Sequence, residues 1–346
     1  MKVVFIGAGR ITRWFLDDIK NTKYHDDIVP YGIYNLTIEQ AKEYQEKYQM
    51  AKVYHSLEEL IADHANYDLA YIGTSDGTHY EIAKPLLAHK INVYCEKPLA
   101  LTYHQATELY ELAHQNNVLL FDGIKTGFSK AYQAMKKDLA NGIIGEVQYV
   151  QASHAKVSTS GKIANPQPTD KNFVGFHLAG GMYALFISLD ILGPAKVVNY
   201  LNNYYNSVHP AIATSVLNLR HENNGISTVL GSDTLTNDLS AMLLGTKGYI
   251  KLGGNLAKYN ADYHKDSCHM AYTYEVYDNQ SHLIKTVDLP IQTAGEGLCL
   301  EIEHVYELLQ ANKTTSPIMT PAISLAIIKI LELTNNVNDT KVIKLT

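Results

Sequence analysis

The sequence is poor in several features that mark large classes of proteins. It has three cysteines in 346 residues, Cys95, Cys268 and Cys299, and they form no Cys-x-x-Cys pair, which argues against a disulfide framework. It has no run of five basic residues, and its 35 acidic side chains outnumber its 29 basic ones, so we expect no nucleic-acid partner. No uninterrupted apolar run approaches the roughly 18 residues of a membrane span, and the first one ends at Gly7, too early for a signal peptide. We therefore expect a cytoplasmic protein with no membrane partner.

Apolar residues, by contrast, are abundant. They make up 46% of the chain, whose length suits about two domains of roughly 100–200 residues. In the N-terminal third, short β-branched runs alternate with helical periods, which is typical of βαβ units and a parallel sheet. The predicted strands cover residues 3–6, 32–35, 53–54, 69–72, 92–95 and 118–121. Six such strands predict a Rossmann dinucleotide-binding domain over residues 1–122.

Beyond residue 122 the pattern changes to a few helices and a run of strands separated by turns. We expect residues 123–346 to form an α+β domain with an open-faced, mostly antiparallel sheet, for substrate binding and oligomerisation. Its closing helices can pack back on the Rossmann domain. Too few helices follow residue 197 to cover both sheet faces, so we predict a homodimer or homotetramer through the open face. The tyrosines expected on that face are Tyr200, Tyr204, Tyr205, Tyr272, Tyr274 and Tyr277.

A glycine turn joins the first predicted strand to its helix. Gly7 and Gly9 allow backbone N–H groups to approach a pyrophosphate, whereas Thr12 stands where the full fingerprint has a third glycine. After the second strand, Asn35 replaces the acidic residue that usually binds the ribose of NAD. Asn35 can hydrogen-bond a ribose hydroxyl without repelling the 2′-phosphate of NADP, and no Arg or Lys stands beside it. The cofactor is therefore NAD or NADP, with NAD favoured.

The most specific motif is Glu96-Lys97-Pro98, directly after the fifth strand. Together with the N-terminal GAGRIT, the TSDGTH stretch at 74–79, NGIIGEV at 141–147, GTKG at 245–248 and EIEH at 301–304, it resembles the Gfo/Idh/MocA oxidoreductase family. The resemblance covers nearly the whole chain. The expected cofactor-binding residues are Gly7, Gly9, Arg10, Ile11, Asn35, Thr74, Ser75, His79, Glu96, Lys97 and Pro98.

The resemblance also implies two catalytic residues. The family lysine of the Glu-Lys-Pro motif lies by the nicotinamide and the substrate hydroxyl, which assigns that role to Lys97. The family's second motif ends in His or Tyr, and Tyr183 matches that position. The acidic residue of this motif is missing, since Ala179 stands in its place. Members with tyrosine, such as dihydrodiol dehydrogenases and glucose-fructose oxidoreductases, are thought to use a Lys/Tyr pair.

These features together predict an NAD(P)-dependent dehydrogenase acting on a secondary alcohol of a sugar, polyol, inositol or cyclic diol. Lys125, His154 and His177 are candidate substrate contacts. Because Ala179 replaces the acid, a cofactor-binding sensor without turnover is the alternative, and a reductase of non-sugar substrates is a second one. A possible metal set of Asp262, His264, Asp266, Cys268 and His269 matches no known zinc spacing. We expect that stretch to be an exposed strand or loop, and no metal.

Overall fold

A computed structural model of the chain describes residues 1–157, 180–204, 212–261, 264–295, 297–335 and 342–345. The chain divides into two compact units. Unit 1 comprises Met1–Gly123 and Gln292–Ile328, and unit 2 comprises Ile124–Ile291 and Lys329–Thr346. Within the described ranges, no helix combines the length and the apolar character that crossing a membrane requires.

Helices and strands alternate in the N-terminal part and give way to a run of strands later. The α-helices of the described residues are, in chain order, α1 (Arg10–Ile19), α2 (Ile38–Tyr48), α3 (Leu57–Ala62), α4 (His79–Ala88), α5 (Tyr103–Asn116), α6 (Lys130–Ala140), α7 (Gly181–Leu192), α8 (Leu298–Gln310) and α9 (Pro321–Thr334). The strands are β1 (Lys2–Ile6), β2 (Val29–Tyr34), β3 (Lys52–Tyr54), β4 (Leu69–Ile72), β5 (Val93–Glu96), β6 (Leu120–Gly123), β7 (Val147–Ala155), β8 (Ala195–Tyr204), β9 (Ile212–His221), β10 (Ile226–Ser232), β11 (Ala241–Gly245), β12 (Gly248–Leu252), β13 (Asn260–Ala261), β14 (His264–Lys265), β15 (Thr273–Asp278), β16 (Leu283–Asp288) and β17 (Val342–Lys344).

Unit 1 contains a parallel six-stranded sheet in the order β3-β2-β1-β4-β5-β6. The central strands β4 and β5 are buried along their whole length, as expected of a parallel sheet that helices cover on both faces. The predicted Rossmann fold is confirmed. In this fold, ligands bind at the carboxyl ends of the strands, so the loops after β1, β4 and β5 define the cofactor side.

Aromatic rings fill one side of this sheet. Phe15 of α1 packs on Tyr71 with ring centroids 4.3 Å apart, and Tyr71 in turn meets Tyr94 at 5.1 Å. The other side is richer in aliphatic residues, with Leu86 of α4 and Leu109 of α5 completely buried, and it also includes Tyr54 and Tyr67. Burial of these side chains is the main stabilising contribution to the unit, at about 1.5–3 kcal/mol for each large apolar side chain.

The start of α3 follows the capping-box pattern of its sequence. The Ser56 hydroxyl accepts a hydrogen bond from the Glu59 N–H at 3.1 Å, and the Glu59 carboxylate accepts one from the His55 N–H at 2.8 Å. Local sequence therefore determines where this helix begins.

Unit 2 contains a nine-stranded sheet in the order β16-β15-β12-β11-β7-β10-β9-β8-β17. β7 and β10 run parallel, and the other neighbouring pairs are antiparallel. The predicted mostly antiparallel sheet is confirmed. Helix α7 lies against β7 and β10, which places its first turn near the end of β7.

The two faces of this sheet differ sharply in exposure. One cross-strand row is fully buried and consists of Val150, Leu243, Ile250 and Val276. The adjacent row points to the opposite face, remains accessible and is also apolar. It consists of Ile226, Tyr149, Leu244, Tyr249, Tyr277 and Leu283. We call this second set the open-face row.

The tyrosines predicted on the open face are largely elsewhere. Tyr200, Tyr272 and Tyr274 are buried within the chain, at 0–2% exposure, so their assignment to the open face is wrong. Tyr200 and Tyr274 occupy the opposite side of their strands, because side chains alternate between faces and composition alone does not give the register, and Tyr272 lies directly before β15. Tyr277 does belong to the open-face row, Tyr204 is half-buried at the end of β8, and Tyr205 lies outside the described residues.

Candidate active site

The glycine turn lies between β1 and α1. Gly7 has a φ of +98°, and a side chain there would come within 2.8 Å of the Gly73 carbonyl oxygen. Its N–H donates to the Tyr34 carbonyl at 2.9 Å. Gly9 is different, because a Cβ at that position would meet only the Gly73 carbonyl, at an ordinary 3.7 Å. The fold itself thus requires glycine at position 7, whereas at position 9 the absent side chain leaves space beside the helix N-terminus, where a pyrophosphate binds in such folds.

Thr12 takes the place of the missing third glycine. It is fully buried, and a Cβ on Gly73 would come within 2.5 Å of its hydroxyl oxygen. The close helix-to-strand packing that the third glycine usually allows is here provided by Gly73, on the strand side of the contact.

The residue after β2 is tied to the glycine turn. Asn35 Oδ1 accepts a hydrogen bond from the Ala8 N–H at 3.1 Å, and its Nδ2 donates to the Thr37 carbonyl and to Gln40. The structure therefore brings Asn35 together with the glycine turn, at the edge where the ribose of a dinucleotide binds.

The first residues of α1 border the same edge. Arg10 is exposed and its guanidinium lies over the Trp14 ring, 4.9 Å from the centroid, while Ile11 is half-buried. The N-terminus of α1 carries no acidic residue in its first turn, so its positive dipole end is not offset there by a carboxylate.

A buried histidine connects the loops after β4 and β5. His79 is completely buried, with Nδ1 2.8 Å from the Pro98 carbonyl oxygen and Nε2 3.3 Å from that of Thr74. Burial lowers its pKa, which favours the neutral imidazole. His79, a predicted cofactor contact, thus lies between the two loops and contacts a main-chain carbonyl group of each. Ser75, in the same loop, is exposed.

Glu96 is the last residue of β5 and Lys97 follows it, and the surroundings of the two side chains differ. Glu96 is buried, and its Oε1 accepts a hydrogen bond from the Tyr71 hydroxyl at 2.8 Å. Burial raises the pKa of Tyr71 well above its usual range, which keeps the phenol protonated as a donor. Lys97 is half-buried. The residues on both sides of Lys97 are therefore anchored, Glu96 through Tyr71 and Pro98 through His79.

Asp122, a buried acid that the sequence analysis did not single out, lies on β6, the strand next to β5. Asp122 on β6 pairs in register with Cys95 and is 1% exposed. Burial raises its pKa to about 7, and the nearby Glu96 carboxylate adds to this, while the Ser324 hydrogen bond and the Lys97 charge act against it. An aspartate at the end of the apolar run 118–121 was the available signal.

A second group of polar side chains lies in unit 2, around Tyr183. The ring of Tyr183, in the first turn of α7, has the Lys125 ammonium 5.9 Å from its centroid. The His154 ring lies 5.5 Å away, and that of His269 lies 5.0 Å away. We call these four side chains the Tyr183 cluster. The structure thus brings together three predicted site residues and adds His269, while His177 and Ala179 lie outside the described residues.

His269 belongs to a stretch that was predicted to be an exposed strand or loop, and the exposure is wrong for three of its residues, while Asp262 lies outside the described residues. Asp266, Cys268 and His269 are all buried. Their side chains serve different partners: the Asp266 carboxylate accepts main-chain N–H groups of Tyr272 and Thr273, and the Cys268 thiol faces the Ser153 carbonyl. Within the described part of the chain, no group of three or more metal-ligating side chains is arranged to hold an ion.

Comparison with known proteins relates these observations to a family. Residues 1–124 match the model of GFO_IDH_MocA, an oxidoreductase family with an NAD-binding Rossmann fold. The trans-1,2-dihydrobenzene-1,2-diol dehydrogenase of Sus scrofa is 30% identical over 304 residues, which cover 85% of this chain and 84% of that protein. The myo-inositol 2-dehydrogenase of Thermotoga maritima is 32% identical over 146 residues, 42% of each chain.

The fold is also found in solved structures. An oxidoreductase from Agrobacterium radiobacter, solved in complex with NAD⁺, L-tartaric acid and magnesium, superposes with a TM-score of 0.82. The match covers 99% of this chain and 98% of that one, at 18% identity. At this identity the likeness is one of fold.

Proposed function

The chain belongs to the Gfo/Idh/MocA family of oxidoreductases, and on that premise we propose that Lys97 and Tyr183 act on the hydroxyl group of a sugar, polyol, inositol or cyclic diol while NAD(P) oxidises this secondary alcohol. The protein is an NAD(P)-dependent dehydrogenase. Similarity to a diol dehydrogenase over most of both chains supports a substrate with neighbouring hydroxyl groups. The relatives reported above are named as dehydrogenases, which gives no support to the sensor alternative.

The observation that carries the proposal is the environment of Tyr183. A phenol can take a proton near neutral pH only if neighbouring positive charge favours the phenolate. The Lys125 ammonium lies 5.9 Å from the Tyr183 ring, and two imidazoles flank the ring. Tyr183 therefore has, within its own unit, the kind of surroundings that a proton-accepting tyrosine requires.

Lys97 is the proposed partner of Tyr183 on the substrate oxygen. It lies at the carboxyl end of β5, between Glu96, which is bonded to Tyr71, and Pro98, which is bonded to His79. An ammonium held there stabilises the negative charge that develops on the alcohol oxygen, while Tyr183 takes the hydroxyl proton. The bound nicotinamide supplies the hydride acceptor.

The residues of the glycine turn fit a dinucleotide. Gly9 leaves open space at the N-terminus of α1, and Asn35 lies beside that turn. We propose NAD as the preferred cofactor, because Asn35 is followed by the exposed Leu36 and Thr37, and neither can pair with a 2′-phosphate by charge.

We also propose that two copies of the chain associate through the open-face row. Leu244 and Leu283 are 38% and 55% exposed, and Tyr249 stacks on Tyr277 with ring planes 11° apart. Six apolar residues aligned across neighbouring strands form a continuous patch, and such patches mark association surfaces. A second copy presents the same row and can bury it.

A cytoplasmic location is proposed from the cysteines. Cys95, Cys268 and Cys299 are unbridged and buried. Burial raises the pKa of the Cys268 and Cys299 thiols to about 12, so both stay as unreactive thiols. Three such thiols suit a reducing compartment.

The experiment that tests the proposed function is a substrate panel. The purified protein is offered sugars, inositols, linear polyols and cyclic trans-diols, each with NAD⁺ and with NADP⁺, and reduced cofactor is followed by absorbance. We expect turnover with at least one vicinal diol and a higher kcat/KM with NAD⁺. Turnover of none of these alcohols, by a protein that binds cofactor, would overturn the proposal.

A further inference from the structure

His269, in the segment between β12 and β15, lies against Tyr183, and no sequence motif assigns this histidine a role. We propose that His269 is a positioning residue for Tyr183, and that the imidazole and the phenol form a coupled pair which holds the proton taken from the substrate. This inference rests on the proposed function, because it assumes that Tyr183 accepts that proton.

The first support is ring geometry. The His269 and Tyr183 centroids are 5.0 Å apart with ring planes inclined by 30°, so the two rings are in contact in a tilted arrangement. The His154 ring meets His269 edge to face at 4.7 Å and 69°. His269 is thus the ring closest to Tyr183 in the Tyr183 cluster, and it is packed from two sides.

The second support is that the loop is built to hold His269 in place. Asp266 Oδ1 accepts the N–H of Tyr272 at 2.7 Å and that of Thr273 at 3.1 Å, while Oδ2 accepts the Asn255 N–H at 2.9 Å. A buried carboxylate that accepts several main-chain hydrogen bonds fixes the loop on both sides of His269. The aspartate therefore holds the loop through the main chain and through the Thr273 hydroxyl, which also donates to Oδ2.

The histidine itself is oriented by its neighbours in the chain. Nδ1 of His269 is hydrogen-bonded to the Ser267 hydroxyl, and His269 is only 7% exposed. On the preceding residue, the Cys268 N–H donates to the Leu239 carbonyl at 2.6 Å, and the Cys268 thiol faces the Ser153 carbonyl at 3.2 Å. The imidazole and the main chain before it are therefore both held in place.

Basic groups of the described residues contact both rings of the pair. The His154 ring of β7 meets the His269 ring, the His269 ring meets Tyr183 of α7, and the Lys125 ammonium lies 5.9 Å from the centroid of the Tyr183 ring. Asp266 and Cys268, its neighbours in the loop, are engaged with the main chain. An imidazolium at position 269 favours the phenolate of Tyr183, and the phenolate in turn favours the imidazolium.

Two groups coupled in this way titrate as a pair, with apparent constants that belong to neither alone. The pair can hold one proton either on the phenol or on the imidazole. When the alcohol is oxidised, its O–H proton passes to the phenolate oxygen and its hydride passes to the nicotinamide, so that the carbonyl product and the reduced cofactor balance the step.

The test uses two substitutions with opposite effects on packing. His269→Phe keeps a ring against Tyr183 but cannot titrate, and His269→Asn removes the ring. With a substrate from the panel, we expect both variants to move the acidic limb of the kcat/KM profile for alcohol oxidation upward by about one pH unit. At a pH on that limb, kcat/KM then falls about tenfold, and it recovers at high pH. His221→Asn is the matched control, since His221 is a buried histidine of the same unit whose ring bonds to Gly193 and Ser227.

A second measurement does not depend on turnover. In NMR titrations of the imidazole resonances, the signal lost in the His269→Asn protein identifies His269, and Tyr183→Phe should shift its midpoint. An unchanged midpoint, or an acidic limb that stays in place in the His269→Phe protein, overturns the pairing. If instead Tyr183→Phe retains full turnover, the proposed function of Tyr183 is what fails. Circular dichroism confirms that each variant is folded.

Discussion

Asp122 and Ser324 are joined by a buried hydrogen bond in unit 1. The Ser324 hydroxyl donates to Asp122 Oδ2 at 2.6 Å, whereas Oδ1 of the same carboxyl has no hydrogen-bond partner in the described structure. Burial raises the pKa of Asp122 to about 7, so the carboxyl is half protonated near neutrality. A half-satisfied buried carboxyl is costly to ionise, and this has a consequence for stability.

We predict that Asp122→Asn stabilises the protein at alkaline pH. The folded pKa of about 7 exceeds the unfolded value of about 3.9, so the folded state binds more protons between these pH values. The contribution of the protonated Asp122 carboxyl to the free energy of unfolding is therefore complete below about pH 4 and is lost as the pH rises through 7. Asparagine does not ionise, so the Asp122→Asn protein avoids this loss, which amounts to at most about 4 kcal/mol.

The measurement is the free energy of unfolding from urea titrations between pH 4 and pH 9. The wild-type curve should fall across this range relative to that of Asp122→Asn, and the difference should level off above pH 8. Asp26→Asn is the control, because the Asp26 side chain is 92% exposed. Parallel curves for wild type and Asp122→Asn would show that Asp122 does not titrate there.

The two glycines of the turn should respond oppositely to substitution. Gly9→Val should reduce cofactor affinity at least tenfold with little change in stability, because its Cβ has room in the fold but enters the space beside the N-terminus of α1. Gly7→Ala should destabilise the protein by roughly 1–3 kcal/mol, because φ is +98° and the Gly73 carbonyl is too close. Calorimetric titration with NADH and thermal melts of both variants separate the two effects. Unchanged affinity in Gly9→Val would remove the turn from the cofactor site.

Lys97→Met and Tyr183→Phe should each lower kcat by roughly 10²–10⁴, the usual contribution of general acid–base catalysis. Cofactor affinity should change little. Because we propose that the two side chains act on one oxygen, the double variant should lose little more than the worse single one. Steady-state kinetics of the three variants on the identified substrate check this, and fully additive losses would mean that the residues act independently.

Leu36→Arg should shift cofactor preference toward NADP. Leu36 is 92% exposed and follows Asn35, so a guanidinium there can reach a ribose 2′-phosphate without disturbing the core. We expect the ratio of the kcat/KM values for NAD⁺ and NADP⁺ to fall about tenfold relative to wild type. Leu36→Gln serves as the uncharged control. If the ratio of kcat/KM values were the same in Leu36→Arg and Leu36→Gln, the ribose 2′ position would not lie beside residue 36.

Leu244→Glu should dissociate the proposed dimer. A carboxylate in the middle of the open-face row would have to be buried at the interface without a partner, which is strongly unfavourable. Light scattering at micromolar concentration should report a dimer or tetramer for wild type and a monomer for this variant. Val29→Glu, at a 46% exposed position of unit 1, should leave the mass unchanged. A monomeric wild-type protein would refute the interface.

Local sequence patterns determined the architecture of this protein. The alternation of apolar runs and helical periods predicts the six parallel strands, because one strand or helix needs only its own residues to show its period. The Ser56 capping box and the glycine turn before α1 are equally local. Motifs such as Glu96-Lys97-Pro98 are also contiguous, so they could be read without any knowledge of distant contacts.

Only the tertiary structure decided which distant side chains meet. Tyr200 and Tyr274 are buried, while Tyr149 and Tyr249 line the open-face row, because strand register determines the face of each residue and a shift of one residue inverts it. Asp122 meets Ser324, and His269 meets Tyr183, across long separations in the chain. Such contacts depend on how whole elements pack, and no periodicity within a single segment encodes them.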